Sequence, residues 1–284
     1  MPPAARAVLA PGKLVLVGEY AVLDGAPSVV VAIDRGVRCE VWPDERPLDI
    51  ETPDGDDRFV RPALAGRTGR YRFSAWNPVD LPGKPGFGGS AAACVAACIA
   101  AGRPPADAFA LHHTTQGSGS GVDVAAAIHG GMLRFEAGVA APLHPPICPT
   151  IIYSGASART GPRVEAYRRW RDRAAFVRDS AALVEAFPDD PLATLEAAGD
   201  RLEAMAAAAG VAYRTPALDR IRALARAHGG AAKASGAGGG DCAVALLPDA
   251  EAQQAFARAC AHAGLPVIGA RVARAAGWDN GPHV

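Results

Sequence analysis

Pro85-Gly-Phe-Gly-Gly-Ser90-Ala-Ala sets Gly86, Gly88 and Gly89 directly ahead of a run of small residues that continues to Ala101 without a β-branched block. This reads as a glycine-rich turn that opens a helix at Ser90. A phosphate held at such a turn meets unpaired N–H groups and the positive end of the helix dipole. Ser90 either caps the helix or turns its hydroxyl toward Mg2+. The stretch lacks the Gly-Lys-Ser/Thr ending of a P-loop, so Walker-type nucleotide binding is not supported.

Two more glycine-rich stretches lie downstream, Gly117-Ser-Gly-Ser-Gly-Val-Asp123 and Lys233-Ala-Ser-Gly-Ala-Gly-Gly-Gly-Asp241. The first puts an acid in the opening turn of a helix. Asp123 either complements the helix dipole or orients an attacking oxygen, and the second role needs a cation beside it. Lys13, at the start of the apolar run Leu14-Val-Leu-Val17, is the candidate. The second stretch, with Gly238, Gly239 and Gly240 in a row, reads as another anion nest. One phosphate-handling site built from distant segments is the simplest account, and it points to nucleotide-dependent phosphoryl transfer.

The chain has 284 residues, half of them apolar, with 29 acidic and 29 basic side chains. That length favours two packed units over one. Balanced charge without like-charge blocks argues against nucleic acid and anionic membrane as partners. The opening Met1-Pro-Pro-Ala-Ala-Arg6 lacks a signal-peptide pattern and no apolar run is long enough to span a bilayer, which predicts a cytoplasmic protein. The six cysteines lack ligand spacing with histidine and read as buried free thiols.

Apolar runs at Leu14–Val17, Val29–Ile33 and Val37–Trp42, separated by Asp24-Gly25 and Asp34-Arg-Gly36 turn signals, predict a sheet. Residues 44–69 read as short edge strands and loops before a strand at Tyr71–Trp76. Helices are expected from Ser90, over Asp107–Thr114 and over Val122–Ile128, then a strand at Met132–Glu136. The prolines of Ala140–Pro146 suggest a domain junction, giving units 1–146 and 147–284. Beyond it, a strand at Thr150–Tyr153 precedes a long helix capped by Thr160. Asp190, Thr215 and Asp249 open helices that close at Gly210, Gly229 and Gly264. Strands at Cys242–Leu247 and Pro266–Val272 complete an α+β second half.

Taken in order, Pro11-Gly-Lys-Leu-Val-Leu-Val-Gly-Glu-Tyr20, Gly86–Ala92 and Ser235–Asp241 resemble the three motifs of the GHMP kinase superfamily, and the resemblance covers nearly the whole chain. Within it, Gln116–Ala127 and Lys233–Cys242 are most similar to the phosphomevalonate kinases. The resemblance implies a ribosomal-protein-S5-like amino-terminal domain, a ferredoxin-like carboxy-terminal domain and an active site between them. It implies ATP and Mg2+ as cofactors, with Lys84, Gly86, Phe87, Gly88, Gly89, Ser90 and Ala91 on the ATP phosphates and Ser90 at the metal. Asp123 and Lys13 become the catalytic pair. Lys13, Glu19, Tyr20, Ser120, Ser157, Arg159, Thr160, Lys233, Ser235, Gly236, Ala237 and Gly238 become substrate contacts, with Lys84, Arg159 and Lys233 supplying charge for a phosphorylated small molecule. The implied reaction converts 5-phosphomevalonate to 5-diphosphomevalonate in a monomer or homodimer. Mevalonate kinase, another small-molecule kinase, a decarboxylase of phosphorylated mevalonate and a silent nucleotide- or metabolite-binding member are the alternatives. Phe87 and Gly89 depart from the family's usual leucine and serine, and residues 44–84 are short where adenine recognition normally lies. His112 and His113, near the position of the metal-binding glutamate of mevalonate kinases, read as packing or capping residues.

Overall fold

A computed structural model describes residues 6–155 and 160–279. β1 (Arg6–Val17) leads through a short 3-10 turn over Ala21–Asp24 into β2 (Ser28–Pro47), and the two strands pair antiparallel along their length. β3 (Asp49–Glu51) and β4 (Thr68–Trp76) extend the sheet beyond β2. Three helices follow, α1 (Gly89–Ala100), α2 (Asp107–Gln116) and α3 (Val122–His129). Their alanines and the thiols of Cys94 and Cys98 pack with Val8, Cys39, Tyr71 and Phe73 of the sheet in one core. Small side chains let these helices lie close to the strands. β5 (Met132–Glu136) pairs with the first half of β2, and β6 (Val139–Leu143) pairs with β5.

The second sheet begins with β7 (Thr150–Tyr153). Helices α4 (Thr160–Arg169), α5 (Ala174–Ala186), α6 (Pro191–Ala209) and α7 (Pro216–Ala227) precede β8 (Ala231–Ala234) and β9 (Cys242–Leu246). After α8 (Ala250–His262) comes β10 (Val267–Ile268), and the antiparallel order is β10-β7-β9-β8. Asp190, Thr215 and Asp249 accept from Ala193, Leu218 and Ala252 N–H at 3.0, 3.0 and 2.8 Å, the caps expected of them. The α+β architecture with two sheets is therefore the expected one. The six cysteines are free thiols, and all but Cys148 are buried. No helix of the described residues is long and apolar enough to cross a membrane.

Four local expectations are corrected. Asp34-Arg35-Gly36 makes no turn: β2 runs straight through, and the pairing jumps from Ala10–Val37 to Gly12–Ile33. These residues bulge around Pro11, where a Cβ on Gly36 would lie 2.0 Å from Ala10 O. Ala140–Leu143 is strand rather than linker, because β6 lies at the sheet edge and tolerates Pro142 there. The long helix from Thr160 divides into α4 and α5. The strand expected to Val272 shrinks to β10; Val272 then bridges Ile33, and β11 (Gly277–Trp278) pairs with β1, so the tail lies on the first sheet.

Candidate active site

Lys13 lies within β1 and donates its backbone N–H to Phe87 O at 2.9 Å, which seats the glycine loop on the strand. Its Nζ returns to the same loop, donating to Gly86 O at 3.2 Å, and stands 3.7 Å from Asp123 Oδ1. The ammonium is almost buried, whereas the Asp123 side chain keeps 36% of its exposure. A desolvated cation thus faces a carboxylate that still reaches the cleft.

Gly86 and Gly88 explain how the loop comes so near. Both take left-handed backbone, with φ of 78° and 73°. A Cβ on Gly86 would lie 2.7 Å from Asp241 Oδ2, and one on Gly88 would lie 3.2 Å from Asp123 Oδ2 and 3.3 Å from Lys13 Cγ. Without side chains, the loop backbone rests on Lys13, Asp123 and Asp241 together. Gly88 immediately precedes α1, so the helix start points its unpaired N–H groups at the same place.

Ser90, in the first turn of α1, shares a 3.1 Å hydrogen bond between its Oγ and His112 Nε2. His112 is buried and stacks on Phe59 with ring centroids 5.0 Å apart. Burial holds its imidazole below the usual histidine range, against the pull of Asp123 and with a small further push from His113. The packing role read for His112 is present, and with it a partner that fixes the Ser90 hydroxyl.

The other wall carries the 235–241 turn. Tyr20, buried with φ of 63°, donates its hydroxyl to Ala237 O at 2.6 Å. Burial pushes that hydroxyl far above the ordinary tyrosine range, so it stays protonated; Arg163 opposes and Glu19 adds to the shift. Between the walls is a cleft of about 1610 Å3. That exceeds the roughly 300–1,000 Å3 of a single small-molecule pocket and suits two ligands side by side. Lys13, Glu19, Tyr20, Lys84, Phe87, Ser120, Asp123, Thr160, Ser235, Gly236 and Ala237 all line it, with Gly86, Gly88, Gly89 and Ser90. The short 44–84 stretch still contributes Phe59, Trp76 and Val79.

Other expected contacts fall elsewhere. Lys233 has no exposed surface and is ion-paired with Glu19, so it touches no diffusing ligand. Gly238 lies under Tyr213, 2.2 Å from its ring if given a Cβ, and is a packing position. Ala91 buries its methyl in the core and offers the site only a backbone N–H. Lys84 is exposed and already paired with Asp54 at 3.0 Å. Ser157 and Arg159 lie outside the described residues. Among the polar cleft residues not expected at the site are His112, Asp241 and Arg168 of α4. Asp241 ended a glycine stretch, which was a usable signal, whereas nothing local distinguishes Arg168 from the other arginines of its helix.

Residues 184–264 match the family described as GHMP kinases C terminal. The phosphomevalonate kinase of Streptomyces sp. (strain CL190) is 29% identical over 86% of this chain and 90% of its own length. The mevalonate kinase of Thermococcus gammatolerans is 28% identical over 91% and 94%. Over nearly its whole length the chain is similar to GHMP kinases. Its fold is that of a Lin0012 protein from Listeria innocua, with a TM-score of 0.85 at 21% identity over 98% of this chain and all of the other. It is also that of Streptococcus pneumoniae phosphomevalonate kinase in complex with phosphomevalonate and AMPPNP, with a TM-score of 0.76 at 19% identity over 94% and 99%. The curated relatives are named kinases, and a glycine loop set beside a lysine and a carboxylate is suited to phosphoryl transfer.

Proposed function

We propose that this chain is a GHMP kinase that transfers the γ-phosphoryl group of ATP, with Mg2+, to 5-phosphomevalonate, yielding 5-diphosphomevalonate for isoprenoid precursor synthesis. The observation that carries the reading is the Lys13–Asp123 pair held 3.7 Å apart beneath the Gly86–Gly89 backbone. The residues present fit both cofactors. The loop is a left-handed glycine backbone at a helix start, suited to polyphosphate. Among the described residues no cluster of three His, Cys, Asp or Glu side chains forms a metal cage. Ser90 is the residue that would hold Mg2+, an ion that commonly takes one or two protein ligands and otherwise phosphate oxygens and water. Bound ATP and Mg2+ supply the phosphoryl group and offset its charge.

The chain's own groups position and stabilise. Asp123 orients the attacking acceptor oxygen, and takes its proton where it carries one. Lys13 pairs with Asp123 and lies where charge grows during transfer. Arg168 lines the cleft with no acidic partner among the described residues, and serves the phosphate already on the acceptor. Phosphomevalonate is also the substrate class of the Streptomyces relative. The withdrawal of Lys233 and the pairing of Lys84 with Asp54 favour a second reading, an unphosphorylated acceptor with mevalonate first.

The test is coupled ADP release with mevalonate, 5-phosphomevalonate, homoserine and galactose as separate acceptors, with the mass of each product recorded. Turnover confined to 5-phosphomevalonate, with a gain of one phosphoryl group, is the expected result. Turnover confined to mevalonate selects the second reading, and carbon dioxide release would identify a decarboxylase.

A further inference from the structure

We propose that Glu19 and Lys233 are a positioning pair, which locks the strand carrying Lys13 to the 235–241 turn and thereby sets the two walls of the cleft at their working separation. The inference rests on the kinase reading above. Lys233 belongs to β8 of the second sheet, and Glu19 follows β1 of the first. The Lys233 Nζ donates to the Glu19 carboxylate, to Ala234 O at 2.8 Å and to Val15 O at 3.5 Å. Glu19 Oε1 also accepts from Gly236 N at 3.4 Å. Around the pair, Ser235 Oγ accepts from Val15 N at 2.9 Å and donates to Val15 O at 3.2 Å, while Tyr20 donates to Ala237 O. Every tie but that to Ala234 O runs between residues 15–20 and residues 233–237. One end of this clamp is two residues from Lys13. The other leads into Asp241, whose carboxylate packs against Gly86 of the phosphate loop.

A buried ion pair is a poor source of stability, because desolvating both charges offsets most of their attraction. Here both partners are nearly or fully out of water, and Glu19 Oε2 has no partner among the described residues. What the pair adds is a single allowed register. An apolar contact tolerates sliding, whereas a buried ammonium must stay on its carboxylate. A misplacement of about 1 Å between reacting groups can cost on the order of 100-fold in rate. Lys233 reaches no substrate, so its effect passes through Glu19, Val15 and the turn.

The decisive variant is Glu19→Gln/Lys233→Met, which removes both charges at similar volume and leaves no buried ion unpaired. Glu19→Asp keeps the charge but withdraws the carboxylate by one methylene, and serves the same readouts if the double variant does not fold. Hydrogen–deuterium exchange of peptides spanning residues 234–242 is measured beside kcat, the acceptor KM and the Kd for ATP. In the folded variant, exchange in the turn should rise about tenfold with β2 unchanged, and kcat should fall roughly 10–100-fold while the Kd for ATP moves less than about threefold. Unchanged exchange, or faster exchange with unaltered kcat, overturns the proposal. If the wild-type chain turns over none of the acceptors, the kinase reading fails separately, and unchanged exchange would still refute the clamp.

Discussion

Asp123 and Lys13 come from different elements 110 positions apart, and each alone had an ordinary explanation as a helix-dipole acid or a solvated strand residue. They meet at 3.7 Å beneath the left-handed glycines of the phosphate loop, a placement that neither ordinary explanation requires. Asp123→Asn keeps the shape of the side chain and loses its charge and basicity. We expect kcat to fall about 10²–10⁴-fold with little change in Tm, because the side chain is partly exposed and outside the core. Steady-state kinetics beside a thermal melt checks this, and near-normal turnover would remove Asp123 from the mechanism. Residues that meet at the cleft were legible here because glycine-rich turns mark themselves in sequence. Lys233 was misread for the opposite reason. Lysine is usually solvated, and the carboxylate that buries this one lies 214 residues away.

At the scale of elements, the helix starts at Asp190, Thr215 and Asp249 were readable because capping is local chemistry within three residues. The bulge at Gly36 was not, since the backbone it accommodates belongs to another strand. β8 was also hidden: Ala231-Ala-Lys-Ala has neither alternation nor β-branched residues, and is strand only through its pairing with β9. The division of α4 from α5 lets Arg173 and Tyr167 both bond Asp24, tying these helices to the end of the 3-10 turn. This arrangement leaves Arg168 on the cleft side of α4. Replacing Arg168 by Gln should raise the KM for a phosphorylated acceptor about tenfold with kcat nearly unchanged, the loss of one charge-assisted contact. An unaltered KM would make Arg168 a surface residue and strengthen the reading with an unphosphorylated acceptor.

Over the whole molecule, two sheets built from separate halves of the chain are bound by the returning tail, by β1 and by the clamp below the cleft. Such long-range closure was the least legible feature, because no local pattern says where β11 pairs. The composition of the cores was clearer and has a consequence for pH. Burial pushes the thiols of Cys39 and Cys242 up to about 12 and that of Cys260 up to about 11, from an ordinary 9.0. The hydroxyls of Tyr20, Tyr167 and Tyr213 are raised above their ordinary 10.0 by the same cause. Groups with raised folded-state pKa values stay protonated in the native protein after the unfolded chain has begun to lose those protons. Their stabilising contribution is complete below about pH 9 and declines as pH rises toward about 12. Unfolding at pH 10 should therefore release protons, measurable as a dependence of calorimetric enthalpy on the ionisation enthalpy of the buffer. The buried thiols should meanwhile resist alkylation until the protein unfolds, leaving half-buried Cys148 to react first. Proton-neutral unfolding at pH 10, or rapid labelling of several thiols in the native state, would show that these cores admit water and that the packing described for them is wrong.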